Sequence, residues 1–409
     1  MKITHIHIER FRGFQNEDFE VGSLLTAIAG QNGTQKSTLL GIITQTFTLK
    51  TEDSMRVEKP LCGGSYISAF KDKFRLSPTF DKPKGHEWTI SFDAGMDDFT
   101  VESIKRTGDP NVRFWKKGAR QEGDGYISFP TIFLSLKRLV PVAEEAKIIT
   151  DDTLLTQEEL NEFKQLHNKI LIAQTPISSA TTITSKNKQS IGVSTELYDW
   201  NQNSMGQDNL GKIILALFSF KRLHDKYPRQ YKGGILAIDE MDATMYPASQ
   251  VELLKVLRKY ASKLNLQILF TTHSMSLLKA MDDLVQEVTK KEETANQAKI
   301  LYLKKVDDKI AIKQGVNFKG IQLDLNVVAE GNNRKKNRIT AYTEDKENIL
   351  FVKAILKSKA FVLDFVDVTL PCSTLMELVT KRVPAFIYPY SIVILDGDVR
   401  MNKNDLRKI

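Results

Sequence analysis

The chain has 409 residues, 41% hydrophobic and 26% charged. That is the balance of a folded globular protein and excludes the disordered and collagen-like classes; the length asks for two or three cores at roughly 100–200 residues each. Lys and Arg outnumber Asp and Glu by 58 to 50, and this net +8 is compatible with a polyanionic partner but too diffuse to identify one. Two cysteines, Cys62 and Cys372, cannot build a disulfide framework or a cysteine-rich zinc site, and no apolar run reaches the ~20 residues that cross a bilayer.

MKITHIHIERFRGF (1–14) alternates with period two and carries charge, so it reads as a strand and not a signal peptide, with the cytoplasm as default compartment. His5 and His7 share one face of that strand without a third ligand in sight, which favours a structural role over metal binding. A turn follows at Arg12-Gly13-Phe14, then the apolar strand LLTAIAG (24–30), then KSTLLGIITQTF (36–47) as a helix. Residues 60–130 carry short alternating runs and turn signals, and predict a β-rich lobe. TIFLSLKRLVP (131–141) is a buried strand and a turn. Between 143 and 200 the character changes. DDTLLTQEELNEFKQLHNKIL (151–171) has helical spacing, SSATTITSKNKQS (178–190) reads as a polar loop, and the whole is expected to be a helical insertion. From 204 onward helices alternate with apolar strands: a helix over 210–225, a strand over 233–240, a helix over 249–264, and the strand LQILFTTHS (266–274). Such alternation predicts a mostly parallel sheet covered on both faces.

Chemistry enters at GQNGTQKST (30–38), between a strand and a helix. Gly30, Lys36 and Ser37 fit the phosphate-loop spacing, and Asn32, Gly33, Thr34 and Thr38 complete the turn. Backbone N–H groups and a helix N-terminus would cradle phosphates there. Lys36 would reach the β- and γ-phosphates and the Ser37 hydroxyl would ligate magnesium. Gln35 stands where a glycine is usual, and its side chain is expected to crowd the nucleotide or strain the backbone. A Gly-rich turn before an ordinary helix is the plain alternative. The strand GGILAIDE (233–240) ends in Asp239 and Glu240, placed to hold magnesium through water and to polarise an attacking water. ILFTTHS (268–274) ends at His273, suited to touching the γ-phosphate, and SMGQD (204–208) offers Ser204, Gly206 and Gln207 to an anion at a helix start. Singly, these last features read as a structural histidine and an ordinary helix N-cap.

In this order the elements resemble the ABC-type ATPase heads of the SMC and RecF-like repair proteins, over roughly residues 1–330. GQNGTQKSTLL looks like their Walker A motif, SMGQ like their signature motif, ILAIDEMDATMYP like Walker B with its D-loop, and TTHS like the switch histidine. The resemblance implies ATP and Mg2+ as cofactors and a head-to-head dimer. In such a dimer Ser204 and Gly206 of one subunit meet the nucleotide of the other. It makes Asp242 the D-loop acid and matches Arg10 and Arg12 to basic residues that approach the nucleotide. The glutamine of the family's Q-loop is missing from FLSLKRL (133–139), which with Gln35 implies slow or regulated hydrolysis.

The basic stretch GNNRKKNR (331–338) reads as a linker, and as a solvated segment or a contact to a nucleic-acid backbone. Beyond it, Glu344 follows a short strand, and SIVILDGDVR (391–400) is a strand running into Asp396 and Asp398. Carboxylates so placed chelate a hard divalent cation. The arrangement resembles the start of a TOPRIM domain over 339–409, which implies magnesium held by Glu344, Asp396 and Asp398 for DNA cleavage. The expected fold class is therefore α/β, an ABC-type P-loop ATPase head with a β-rich lobe and a helical insertion, followed by a partial TOPRIM α/β domain. An ATPase head followed by TOPRIM resembles the overcoming-lysogenization-defect (OLD), Gabija-like and retron-associated antiphage nucleases. That likeness implies DNA as substrate and a defence-system partner such as a reverse transcriptase with its non-coding RNA. A Septu-like ATPase working with a separate nuclease and a RecF-like repair ATPase remain alternatives.

Overall fold

In the computed structural model the described residues are 1–66, 73–93, 95–105, 112–119, 124–139, 148–151, 154–184, 189–329, 339–387 and 391–397. Contacts divide the chain into two units, Met1–Leu325 and Asn326–Ile409. The expected linker 331–338 and Asp398 lie outside the described residues.

The first unit opens with the hairpin β1 (Ile3–Phe11) and β2 (Phe14–Glu20), then β3 (Leu25–Gly30), helix α1 (Lys36–Thr44) and the short β4 (Phe47–Thr48). The β-rich lobe supplies β5 (Glu87–Phe92), β6 (Phe99–Lys105), β7 (Val112–Lys116) and the short β8 (Ile127–Ser128). Next come β9 (Thr131–Leu134), β10 (Ile149–Asp151), α2 (Gln157–Leu171), β11 (Ser179–Thr184) and β12 (Gln189–Ser194). The α/β run follows as α3 (Met205–Lys226), β13 (Gly234–Ile238), α4 (Pro247–Lys263), β14 (Leu266–Thr272) and α5 (Met275–Val288), closed by β15 (Ala298–Val306), β16 (Lys309–Lys313) and α6 (Phe318–Ala329).

The central sheet has the order β16-β15-β3-β14-β13-β9, parallel except for the edge strand β16. Every residue of β3, β13 and β14 is buried, as strands covered on both faces require. Successive side chains serve opposite cores. Ala27, Leu236, Ile238, Ile268 and Phe270 pack with helices α3, α4 and α5. Ile28, Ile235, Ala237 and Leu269 pack with α1 and with a second, antiparallel sheet of order β2-β1-β5-β6-β7. The period-two alternation thus lays three layers, helices, parallel sheet and antiparallel sheet. Gln267, buried in β14, ties the outer sheet in: its Oε1 accepts from Ile3 N at 2.7 Å and its Nε2 donates to Ile3 O at 2.8 Å and Gly22 O at 3.1 Å.

The insertion departs from the sequence reading. It is not purely helical, because α2 is accompanied by the antiparallel sheet β10-β11-β12. The expected polar loop 178–190 is largely strand: the Ser/Thr-rich run buries Ala180 and Thr182 on one face and Ile183 on the other, and β-branched threonines fit such a pleated, half-buried surface.

The second unit holds β17 (Ile339–Thr343), α7 (Lys346–Leu356), β18 (Leu363–Phe365), α8 (Cys372–Thr380) and β19 (Ser391–Ile394), with the parallel order β18-β17-β19. Among the described residues no helix is long and apolar enough to cross a membrane.

Candidate nucleotide-binding and hydrolysis site

Parallel pairing puts the C-terminal ends of four strands side by side. Ala29 of β3 is level with Thr272 of β14, and Ile238 of β13 with Phe270 of β14 and Leu134 of β9. Gly30, Asp239, Glu240 and His273 therefore leave the sheet at one edge, the edge where open α/β sheets bind ligands.

The loop from β3 to α1 is shaped by residues that turn the backbone. Gly30 has φ 151°, and a Cβ there would come within 2.5 Å of Leu303 O. Gly33 has φ 81° and Asn32 beside it is exposed. Thr34 is buried and its Oγ1 donates to Gln31 O at 2.8 Å; Thr38 is half-buried in the first turn of α1. Gln35 adopts the left-handed conformation, φ 63° and ψ 31°, at a cost of about 1 kcal/mol for a residue with a Cβ. Strain is thus present, but the side chain turns toward the β1–β2 turn. A Cβ on Gly13 would meet its Nε2 at 2.8 Å.

Lys36 is buried, and its Nζ donates to Gly30 O at 3.0 Å and Gln31 O at 2.8 Å. Burial pulls its pKa down to about 8 against the pull of Glu240, Asp239 and Asp242, which favour the charged form. Ser37 Oγ donates to Asp239 Oδ1 at 2.9 Å, and Thr271 Oγ1 donates to the same oxygen at 2.7 Å. A hydroxyl and a carboxylate side by side are hard oxygen donors of the kind magnesium takes. Phosphate fits the loop, since a glycine-lined turn, a desolvated lysine and a helix N-terminus converge there.

Glu240 also stands in the left-handed region, φ 49°. Its N–H donates to Thr271 Oγ1 at 2.6 Å and its carbonyl accepts from Arg138 Nη2 at 2.7 Å. The following turn is held by Gln250, whose Nε2 donates to Asp242 O at 3.2 Å and Met245 O at 2.7 Å, and whose Oε1 accepts from Ser274 Oγ. His273 is exposed at the end of β14, and its N–H points to Asp242 Oδ1 at 3.4 Å. Desolvation on the side of its ring that faces the site, with the Lys36 charge, holds its imidazole below the usual range and so neutral at pH 7.

Ser204 is the N-cap of α3 in a capping box with Gln207: Ser204 Oγ accepts from Gln207 N at 3.3 Å and Ser204 N donates to Gln207 Oε1 at 2.8 Å. Gly206 is buried against the turn after Glu240, where an added Cβ would meet Thr244 O at 2.6 Å. The N-cap reading of SMGQ holds, with Ser204 exposed.

Arg10 and Arg12 are paired within the β-rich lobe. Arg10 donates to Lys84 O at 3.1 Å and Glu87 Oε2 at 3.2 Å. Arg12 forks onto Asp81, with both contacts at 3.1 Å. Both cations are committed to carboxylates of the β-rich lobe and not to the loop. His5 and His7 both face Asp18 across the hairpin, at 3.2 and 3.0 Å, as a structural role requires.

In the second unit Glu344 follows β17 and Asp396 follows β19, and the two strands pair with Thr343 level with Ile394. The two acids leave neighbouring parallel strands at the same end. Asp396 Oδ1 accepts from Gly397 N at 2.7 Å. Among the described residues no three His, Cys, Asp or Glu side chains are grouped to hold a metal.

Sequence reasoning missed Arg138, Asn209, Thr271 and Gln250. Thr271 lies within TTHS beside the histidine that drew attention, and the partners of all four are brought near only by folding.

The first unit is a mixed α/β fold whose parallel strand ends gather these residues at one edge. Residues 135–278, which hold Arg138, Ser204, Asp239, Glu240 and His273, match the AAA ATPase domain model, so the chain carries an ATPase domain. Among curated proteins none matches the chain. Solved structures similar to it include the SMC head domain from Thermotoga maritima, at 14% identity and TM-score 0.42, covering 77% of this chain and 100% of that one. The SmcHead bound to the C-winged helix domain of ScpA gives 14% and 0.46, covering 79% and 100%. An Smc head with an extended coiled coil, bound to the C-terminal domain of ScpA derived from Pyrococcus furiosus, gives 13% and 0.43, covering 80% and 99%.

Proposed function

We propose that the first unit is an ABC-type head that binds Mg2+-ATP at the 30–38 loop and hydrolyses it between two copies of the chain. The observation that carries this reading is the meeting of Lys36, Ser37, Asp239, Glu240 and Asp242 at one strand-end edge. Three acids face two buried cations, Lys36 and Arg138, which leaves a net negative charge that attracts a cation. Magnesium, when bound, supplies positive charge to the phosphates. Lys36 would trade its loop carbonyls for phosphate oxygens, Ser37 and Asp239 would hold the metal, Glu240 would orient the attacking water, and neutral His273 would donate its ring N–H to the γ-phosphate. Ser204 and Gly206 of the second copy complete the pocket. Lys36→Ala is expected to abolish ATP binding, and Glu240→Gln to keep binding while hydrolysis falls by about a hundredfold or more. Equilibrium binding with single-turnover hydrolysis reads both; full binding by the Lys36→Ala protein would remove the loop from the site.

The second unit, in the same proposal, is the start of a TOPRIM-type domain that cleaves DNA under control of the head, as in OLD-like antiphage defence. Its support is the shared strand end of Glu344 and Asp396, with Asp398 as the further expected ligand. Asp396→Ala is expected to stop Mg2+-dependent nicking of plasmid DNA and leave ATPase untouched. Undiminished nicking by that variant would end the assignment. If the unmodified chain cuts nothing, cleavage belongs to a separate nuclease partner.

A further inference from the structure

Glu240 keeps a left-handed backbone although it is not glycine, so its neighbours must hold it there. Two side chains grip its peptide groups from opposite sides, Thr271 at the N–H and Arg138 at the carbonyl. Arg138 is 2% exposed. Its Nη1 donates to Leu134 O at 3.2 Å and Ser135 O at 3.1 Å, which anchors the guanidinium to the end of β9. Its Nε donates to Asn209 Oδ1 at 2.7 Å. Asn209 lies on α3, one turn beyond the Ser204 cap, and its Nδ2 donates in turn to Ala243 O at 3.0 Å. Among the described residues every acceptor of Arg138 is a neutral oxygen, and no carboxylate shares its hydrogen bonds. A buried guanidinium is expensive to desolvate, and an apolar side chain would fill the same space more cheaply. What an apolar side chain cannot do is bind two separate backbone segments and the Asn209 side chain at fixed distances.

We propose that Arg138, with Asn209, is a positioning residue for hydrolysis: the pair is a strut that locks the Glu240–Ala243 turn to the start of α3. A hydrogen bond tolerates only a few tenths of an ångström before it weakens. A displacement of the α3 N-terminus, the part a second copy meets through Ser204, is therefore passed to the Glu240 peptide. The strut makes the hydrolytic step depend on where the signature helix sits, while none of its own bonds reaches the phosphate loop at residues 30–38.

The assignment rests on the proposed ATPase site. The full chain carrying Arg138→Met, Arg138→Lys, Asn209→Ala or the Arg138→Met/Asn209→Ala pair is compared with the unmodified protein in ATP affinity, single-turnover hydrolysis and thermal unfolding. ATP affinity is expected within about threefold for all, while hydrolysis falls about tenfold to a hundredfold, as an ångström-scale misplacement of a catalytic group does. Arg138→Lys, which keeps charge and one donor, should fall between Arg138→Met and the unmodified chain. The paired variant should be no slower than the slower single one, because both substitutions break one strut. Unchanged hydrolysis in a folded Arg138→Met or Asn209→Ala protein overturns the proposal, and so do effects that multiply. Should Arg138→Met fail to fold, Arg138→Lys and Asn209→Ala decide it. Lys36→Ala and Glu240→Gln run alongside: if these hydrolyse ATP normally, the site reading has failed rather than the strut.

Discussion

Lys36 shows why a residue type at a given spacing is only half of a site. Its position in the loop was legible, because glycine-rich turn, lysine and serine recur at a spacing dictated by phosphate geometry. Its energetics were not, because they depend on the burial and on three acids from another strand end. Burial wins, and the pKa settles at about 8. Two consequences follow from the sign. Between that value and the ordinary lysine range the unfolded chain binds the extra proton, so Lys36 lets stability rise with pH through that window and subtracts from it below. If ATP is held at Lys36 as proposed, it needs the ammonium, and its binding above pH 8 must first recapture a proton. Affinity is expected to fall by up to about tenfold per pH unit above pH 8, with about half a proton taken up per site at pH 8. Calorimetry in buffers of different ionisation enthalpy measures that uptake; an affinity flat from pH 7 to 9.5 would contradict it. Gln35 carries the complementary lesson. The missing glycine was visible, and so was the strain, but not that the side chain escapes toward Gly13. Arg138 was invisible for a plainer reason. A lone arginine after an apolar strand looks solvated until folding surrounds it.

Elements were legible where one periodicity governed them. The strands β3, β13 and β14 and the helices α3 and α4 could be read because both faces of each strand are apolar. The insertion was misread because Ser and Thr carry two preferences, turn and strand, and only pairing with β12 decides between them. The motif SMGQ combines both kinds of legibility. Ser204 caps α3, and the capping box with Gln207 is written in the sequence. Gly206 matters through a neighbour far along the chain, the Thr244 carbonyl, which an alanine Cβ would approach to 2.6 Å. Backbone yields less readily than a side-chain tip, so Gly206→Ala should lower stability by about 1–3 kcal/mol. It should also slow hydrolysis more than it weakens ATP binding, because the displaced segment is the Glu240–Thr244 turn. Denaturant unfolding beside the two assays checks this. A fully stable Gly206→Ala protein with normal turnover would mean that α3 and the turn do not need their contact.

Across the whole molecule, parallel topology does what no local motif can. It carries Gly30, Asp239 and His273, scattered over more than half the chain, to one edge, while the signature turn at Ser204 stays outside the phosphate loop of its own subunit. Hydrogen bonds of Ser204 run to its own helix start, and the residue is exposed. If two copies share each nucleotide, the loop of one and the signature of the other form a unit that can be taken apart genetically. Lys36→Ala chains lack a working loop and keep the signature; Ser204→Arg chains keep the loop and lose the signature. Each alone should be inactive. Mixed in equal amounts and allowed to exchange, half of the dimers are mixed, and each mixed dimer regains one intact site of two. ATPase should then return to about a quarter of the unmodified rate, and rise with total protein concentration. A self-contained head would give no recovery at any mixing ratio, because neither chain then holds a complete site. The quarter also distinguishes a shared site from an allosteric rescue, which has no reason to follow the statistics of pairing.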